Sequence, residues 1–159
     1  MKVLIKKMHP NARIPKRATE FAGGWDVVVT EIIKDAEDVM ICKLGFCLEV
    51  PINYKIRIVP RSSITKTDWF IQNTPTLFDS DFRAEYVLKF KCISSQVNKR
   101  YYGEDYHEYY MSYTDFPYKE GDRIAQMYLE EVIPIEFEEI TELSNTTRGE
   151  GSFGSTGVK

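Results

Sequence analysis

The sequence predicts an all-β protein that folds as a sandwich, a barrel or a jelly roll. Short apolar or alternating runs recur along the chain with turn residues between them, and β-branched and aromatic residues dominate these runs. No stretch keeps a 3.6-residue apolar period over a dozen residues, so the pattern does not favour long helices. The length of 159 residues is typical of one domain with a substantial core. Many short strands at this spacing are the basis of the all-β prediction.

The order of these runs predicts eight strands and a short helix. The strands are expected at residues 3–5, 27–29, 39–41, 46–50, 55–59, 69–71, 86–93 and 127–129. One or two helical turns are expected around Ser62 to Lys66, after the break at Pro60. A hairpin is predicted to join residues 77–78 to the strand at 86–93, with Asp79 and Asp81 at its tip.

A tyrosine-rich segment interrupts the series of strands. Residues 100–118 contain seven of the ten tyrosines together with four acidic residues. The segment lacks steady alternation, which indicates a long hairpin or an excursion from the domain. Its rings are expected either to pack on the protein itself or to form a surface for a protein partner, since tyrosine is enriched at interfaces.

The C-terminal residues form a second unusual segment. After Leu143 few apolar side chains remain apart from Phe153 and Val158, so these residues cannot form a core of their own. The stretch RGEGSFGSTG is rich in glycine, which makes ordering costly. We therefore expect one domain over residues 1–143, with the insert at about 97–118, and a flexible arm over residues 144–159.

Composition restricts the classes of function. The formal net charge is −3, which argues against nucleic-acid binding because such proteins usually carry a basic surface. No apolar run is long enough for a signal peptide or a membrane span, so we expect no membrane association and a cytoplasmic location. Cys42, Cys47 and Cys92 lie among apolar residues without CxxC spacing, which predicts reduced thiols in the core.

Two segments carry residues suited to an anionic ligand. FAGGWDV leaves Asp26 at the start of a strand, after two glycines. VPRSSI places Arg61 and two serines at the opening of the predicted helical turn, where backbone N–H groups, hydroxyls and a guanidinium can bind an anion. Each segment alone also fits an ordinary structural role, as a turn aspartate or a capping serine beside a surface arginine.

Two further segments carry candidate polar groups. NTPTLFDSDFRAEY contains Asp79, which is either a turn-stabilising aspartate or, facing a cleft, a general base. GDRIAQM is a turn followed by a strand that carries Gln126. The closing RGEGSFGSTG is not a phosphate-binding P-loop, because it lacks the GxxxxGK[ST] pattern and its flanking strand and helix.

The segments AGGWD, PRSS, NTPTLFDSDF, GDRIAQ and RGEGSFGSTG, in this order, resemble the five motifs of the trimeric deoxyuridine triphosphatases (dUTPases). The resemblance spans residues 22–157. It implies a distorted jelly-roll β-barrel and a homotrimer with three active sites at the subunit interfaces, each built from all three chains. The implied reaction converts dUTP and water to dUMP and pyrophosphate, with Mg²⁺ on the triphosphate.

The resemblance also implies roles for individual residues. Asp79 would deprotonate the water that attacks the α-phosphorus, Gln126 would hold the α-phosphate or that water, and Arg148 would grip the γ-phosphate. Asp26 would reach Mg²⁺ through its water shell. The remaining implied substrate contacts are Arg61, Ser62 and Ser63 on the phosphates; Asn73, Leu77 and Phe78 on uracil; Phe82 under the deoxyribose; Phe153 on uracil; and Ser155 and Thr156 on the γ-phosphate.

The chain departs from the family pattern at several positions. Trp25 replaces a tyrosine, and Ser63, Thr76, Ala84 and Ser152 each replace a glycine. A β-branched residue such as Thr76 resists positive φ angles, so it is expected to alter the affinity for uracil. Catalysis is expected to survive, because Asp79, Arg61, Gln126, Arg148 and Phe153 are all present.

Two alternatives to a simple dUTPase are open. A dCTP deaminase shares the fold but would carry a glutamate about ten residues beyond Asp79, where this chain has Lys89. A phage-type or phage-like bacterial dUTPase would use the tyrosine-rich insert, at residues 101–113, to bind a repressor or another protein in addition to catalysis.

Overall fold

The structure is a computed structural model that describes the backbone of residues 1–102 and 106–151 and the side chains of residues 1–94 and 113–151. Within these residues the strands are β1 Leu4–Lys7, β2 Trp25–Val28, β3 Glu31–Ala36, β4 Val39–Lys43, β5 Phe46–Glu49, β6 Tyr54–Pro60, β7 Trp69–Ile71, β8 Thr76–Phe78, β9 Val87–Cys92, β10 Ser95–Tyr102, β11 Tyr106–Tyr113 and β12 Arg123–Glu131. A 3₁₀ helix covers Ser62–Lys66. The all-β prediction is confirmed, and each predicted strand overlaps an observed one.

Two four-stranded sheets form the body of the protein. Their strand orders are β2-β12-β6-β8 and β3-β4-β9-β7, and every pair is antiparallel. A third, two-stranded sheet joins β1 to β5. Because the apolar side chains of both large sheets belong to one buried cluster, the sheets share a single core.

The core is filled by β-branched, leucine and aromatic side chains that alternate with exposed positions. Val27 of β2, Ile58 of β6, and Leu88 and Phe90 of β9 are fully buried members of this core. All three cysteines are buried free thiols, as predicted. Burial raises the pKa of the Cys42 thiol to about 12, so that thiol stays protonated and unreactive.

The predicted hairpin around Asp79 is wrong. Strand β8 pairs with β6, whereas β9 pairs with β4 and β7 in the other large sheet. Thr76 and Phe78 of β8 are buried, and so are Leu88 and Phe90 of β9, although the two strands belong to different sheets. The connection between them, which we call the Asp79 segment (residues 79–86), therefore crosses from one sheet to the other.

Strand β3 has no counterpart in the predicted series. Its sequence EIIKDA has only two adjacent large apolar residues, and four of its six positions are exposed. The strand exists because it pairs along β4, from Glu31↔Lys43 to Ala36↔Val39, with an irregularity after Lys34. Cross-strand pairing stabilises β3 where its own apolar residues do not, and an ion pair between Glu31 and Lys43 adds to this pairing.

The tyrosine-rich segment contains a long hairpin, which is one of the two forms expected from its sequence. Strands β10 and β11 pair from Ser95↔Tyr113 to Tyr102↔Tyr106 and form a sheet of their own. After the hairpin, Phe116 packs edge-on against Trp69 and Phe90. The base of the insert is thus fixed to the core by aromatic contacts.

The chain has no strand after β12 within the described residues. Positions 132–150 are almost continuously exposed. Among the described residues, no helix is long and apolar enough to cross a membrane.

Candidate active site

Asp26 is the centre of a group of polar side chains that we call the Asp26 cluster (Asp26, Arg61, Arg123 and Gln126). It is 5% exposed and lies in β2. Arg123 Nη1 donates to its Oδ2 at 2.9 Å, and Gln126 Nε2 donates to its Oδ1 at 3.1 Å. Arg61 Nε lies 3.4 Å from the same Oδ1. One buried carboxylate therefore accepts two side-chain hydrogen bonds and forms an ion pair with a second arginine.

The strand register explains why these residues meet. Gln126 of β12 lies opposite Asp26 of β2 on one side and opposite Val59 of β6 on the other. Arg61 directly follows β6, and its Nη1 donates to the carbonyl oxygen of Arg123 at 3.0 Å. Three segments that are far apart in sequence, AGGWD, PRSS and GDRIAQ, thus converge at adjacent strands.

Gly24 shows why a glycine precedes this strand. A Cβ atom placed on Gly24 would lie 3.3 Å from both the Gln126 Cβ and the Met127 carbonyl oxygen. That is tighter than most packed contacts, so a side chain at this position would push Gln126 or the Met127 backbone away by a few tenths of an ångström.

Arg123 is a candidate site residue that the sequence analysis did not single out. It lies in the GDRIAQ segment, three positions before Gln126, and its side chain is 53% exposed. The cluster holds two guanidinium groups and one carboxylate, so one positive charge is in excess. The feature of the sequence that could have indicated Arg123 is an arginine at the start of a strand, in the same motif as Gln126.

A basic cleft adjoins the Asp26 cluster. It has a volume of about 650 Å³ and includes Asp26 and Arg123 in its wall. The other charged residues that line it are Lys7, Arg13, Lys16, Arg17 and Asp122. Five basic and two acidic residues thus surround a cavity in a chain whose net charge is −3, which favours an anion in this region.

The Asp79 segment presents its aspartate to solvent. The backbone N–H of Phe82 donates to the Asp79 carbonyl oxygen at 3.2 Å, which closes a turn. Arg83 Nη1 donates to the carbonyl oxygens of Ser80 and Phe82 at 2.6 and 3.1 Å. Within the described part of the chain, no hydrogen bond or ion pair joins the Asp79 side chain to the Asp26 cluster.

The residues before Asp79 form the edge of a sheet. Strand β8 pairs with β6 on one side only, so its other edge keeps main-chain groups that the ladder does not use. Leu77 is half-exposed, Phe78 is buried, and Asn73 is exposed with its Oδ1 accepting a hydrogen bond from Thr76 Oγ1 at 3.2 Å.

Thr76 stands in a backbone conformation that suits threonine. It is a buried residue of an extended strand, and no described residue other than glycine has a positive φ angle. The expected conflict at Thr76 is therefore absent, and Ser63 and Ala84 likewise need no glycine conformation. Ser152 lies outside the described residues.

The remaining predicted site residues lie at the surface or outside the described residues. Ser62 and Ser63 are exposed in the 3₁₀ helix. Arg148 is exposed, and its Nε donates to the Gly151 carbonyl oxygen at 3.0 Å, within a turn whose Gly149 has a φ angle of +51°. The three tail residues Phe153, Ser155 and Thr156 lie outside the described residues.

Comparison with known proteins identifies the family. The dUTPase family model matches residues 10–98 and 97–157. The deoxyuridine 5'-triphosphate nucleotidohydrolase of Helicobacter pylori strain J99 is 34% identical over 160 residues, covering 99% of this chain and 98% of the relative. The enzyme of the same name from Nautilia profundicola is 36% identical, with 99% of each chain covered.

Solved structures agree in fold. The Staphylococcus bacteriophage 80alpha dUTPase with dUpNHpp has a TM-score of 0.73 at 21% identity, with 99% of each chain covered. The dUTPase from phage phi11 of S. aureus, solved to visualise its species-specific insert, has a TM-score of 0.67 at 18% identity and covers 92% of this chain and 100% of its own. With sequence motifs, family match and full-length relatives in agreement, this chain belongs to the dUTPase family.

Proposed function

We propose that this protein hydrolyses dUTP to dUMP and pyrophosphate. The observation that carries the proposal is the Asp26 cluster, in which three family motifs converge and leave an excess positive charge beside a basic cleft. Full-length relatives that are named deoxyuridine 5'-triphosphate nucleotidohydrolases support the same reaction.

The triphosphate is proposed to bind at the end of β6 and the start of the 3₁₀ helix. Arg61 supplies charge, exposed Ser62 and Ser63 supply hydroxyl and N–H donors, and Gln126 reaches the α-phosphate or the attacking water. Arg61 and Gln126 are already oriented by Asp26. Preoriented donors cost little reorganisation when charge develops at the phosphates.

Asp79 is proposed as the general base. Its exposed carboxylate can accept a proton from a water molecule whose oxygen attacks the α-phosphorus. The bond from that phosphorus to the bridging α–β oxygen then breaks, and pyrophosphate leaves with the electron pair. The turn bonded by Arg83 fixes the backbone on which Asp79 sits.

The uracil base of the nucleotide is proposed to be recognised by the main chain of β8. The unpaired edge at Leu77 and Phe78 offers donors and acceptors for uracil, with Asn73 at the same face. Phe82, which is half-buried, is proposed to pack under the deoxyribose, so that a 2′-hydroxyl would clash and lose its hydration.

Magnesium is proposed to accompany the triphosphate. No group of three His, Cys, Asp or Glu side chains within the described residues could hold a metal by itself. Asp26 already accepts bonds from Arg123 and Gln126, and its remaining lone pairs suit a water ligand of a cation that dehydrates reluctantly. When bound, Mg²⁺ neutralises charge on the phosphates, and Asp26 orients its water shell.

A homotrimer with shared sites is proposed as the working form, and a cytoplasmic location stays a prediction. The segment after β12 exposes several large apolar side chains, including Phe137 at 89%. Such a run is stabilised when another chain covers it. In this arrangement the arm brings Arg148, Phe153, Ser155 and Thr156 over a neighbouring subunit's site, as the family motifs imply.

The two alternatives have less support. Lys89 occupies the place of the deaminase carboxylate, and its Nζ lies 3.1 Å from Asp35 in an exposed ion pair. Protein binding through residues 101–113 stays a prediction, since the side chains of residues 101–112 are outside the described set.

Pyrophosphate release from equal concentrations of dUTP, dCTP, dTTP and UTP tests the proposal. We expect turnover with dUTP only, and loss of that turnover when magnesium is removed by a chelator. Equal rates with dUTP and dTTP, or ammonia release from dCTP, would contradict it.

A further inference from the structure

Aromatic stacking holds the Asp79 segment where a sheet ladder is absent. Strands β8 and β9 lie in different sheets, so no hydrogen-bonded ladder fixes the connection between them. The rings of Phe78 and Tyr86, at its two ends, are stacked with centroids 3.9 Å apart and planes inclined by 7°. This stack bridges the two sheets at the base of the segment.

Tyr86 is itself fixed from the core side. Its side chain is fully buried, and its ring lies 5.7 Å from that of Phe46. Its backbone N–H donates to the Phe46 carbonyl oxygen at 2.9 Å, and its carbonyl oxygen accepts from the Leu44 N–H at 3.0 Å. Main-chain bonds and ring contacts together leave Tyr86 little freedom to move.

Phe82 lies on this platform. Its ring centroid is 5.3 Å from Phe78 and 5.8 Å from Tyr86, and it is tilted by 51° and 55° to them. Two rings that are stacked on one another thus form the surface against which Phe82 packs. An aliphatic side chain at position 86 would fill only part of the space and would offer no flat surface.

The ring of Tyr86, and not its hydroxyl, makes these contacts. The hydroxyl oxygen is buried and has no hydrogen-bond partner within the described part of the chain. An unpaired buried hydroxyl costs stability, so hydrogen bonding does not account for a tyrosine at this position.

We propose that Tyr86 is a positioning residue for sugar discrimination, which acts by holding Phe82 at the height where a 2′-hydroxyl is excluded. This inference rests on the proposed dUTP hydrolysis and on Phe82 as the surface under the deoxyribose. With the platform removed, Phe82 can tilt inwards and make room for ribose. The kcat/KM for UTP should therefore rise by a larger factor than the kcat/KM for dUTP falls.

The test compares Tyr86→Leu with Tyr86→Phe in the full-length protein. For each variant and the unmodified chain, kcat/KM is measured separately with dUTP and with UTP, and thermal unfolding is recorded. Tyr86→Phe keeps the ring and is expected to keep the dUTP/UTP ratio. Tyr86→Leu is expected to lower that ratio roughly tenfold, the scale of a lost apolar contact in a substrate pocket.

The dUTP/UTP ratio of kcat/KM values distinguishes a positioning role of Tyr86 from a purely structural one. A Tyr86→Leu protein that melts earlier but keeps the dUTP/UTP ratio would overturn the inference. Should that variant not fold, Tyr86→Met, whose unbranched side chain adapts to irregular space but also lacks a flat ring, replaces it and is judged by the same ratio. An unmodified chain that hydrolyses UTP as readily as dUTP would refute the proposed function instead.

Discussion

Two aspartates in this molecule occupy opposite environments. Asp26 is buried and accepts bonds from Arg123 and Gln126, with Arg61 beside it. Asp79 is exposed on a turn that is held by the main chain and by Arg83. The carboxylate oxygens of Asp26 already accept from arginine and glutamine donors, whereas those of Asp79 are open to solvent and can be reached by a water molecule. The contrast supports the proposed division of roles, in which Asp26 organises the site and Asp79 transfers the proton.

Replacing Asp79 should give the largest effect on turnover. Asp79→Asn removes the proton acceptor but keeps the shape, so kcat for dUTP should fall by about 10²- to 10⁴-fold. Binding of dUTP and the melting temperature should barely change, because the side chain is exposed. Pyrophosphate release, calorimetric binding and thermal unfolding measure the three quantities.

Asp81 provides the matched control for Asp79. It is exposed and lies two positions further along the same segment. Asp81→Asn changes the charge of the turn by the same amount and should retain activity. Similar losses in both variants would show that the charge of the segment, and not one base, controls turnover.

Replacing Asp26 should give the largest effect on stability. Asp26→Asn leaves two guanidinium groups facing a neutral amide in a partly buried place. We expect the free energy of unfolding to fall by about 2 kcal/mol, less than for a fully buried pair because both arginines are partly exposed. Urea unfolding followed by fluorescence provides the measurement.

Asp35→Asn is the control for Asp26. Its ion pair with Lys89 is exposed on both sides, so its loss should change stability by less than about 0.5 kcal/mol. If Asp26→Asn were as harmless as Asp35→Asn, the interpretation of Asp26 as the organising group of the site would be wrong.

Replacing Thr76 should give the smallest effect. Thr76→Gly restores the residue usual in the family but loses a buried side chain and a hydrogen bond to Asn73, in an extended strand. Stability should fall by about 1 kcal/mol, without a gain in kcat. Ala84→Gly, at an exposed position, is the control. Higher turnover in Thr76→Gly would mean that the glycine conformation matters after all.

Local patterns predicted well the strands that bury alternate residues. Strand β6, with Ile56 and Ile58 buried, is one such strand. Strand β3 was not predicted because its stability comes from pairing with β4 and not from its own apolar residues. The hairpin at Asp79 was predicted wrongly because the pairing of a strand depends on residues that are distant in sequence. Nothing in the sequence of residues 79–86 indicates that they cross from one sheet to the other.

The site shows a similar division. Motifs indicated Asp26, Arg61 and Gln126 separately, but only the register of β12 against β2 and β6 brings them together. Arg123 was not singled out because an arginine at a strand end is usually a surface residue. The opposite error concerned Thr76, where a missing glycine suggested strain that the backbone does not have.

The open edge of β8 has a consequence for how base selectivity can be inherited. If main-chain groups at Leu77 and Phe78 read uracil, the recognition pattern is a property of the strand's path and not of its side chains. Leu77, which is half-exposed, can then vary without altering which base is accepted. Only a change that removes a backbone donor, such as proline, or that shifts the strand would erase it. Selectivity of this kind can persist through long sequence divergence as long as the fold does.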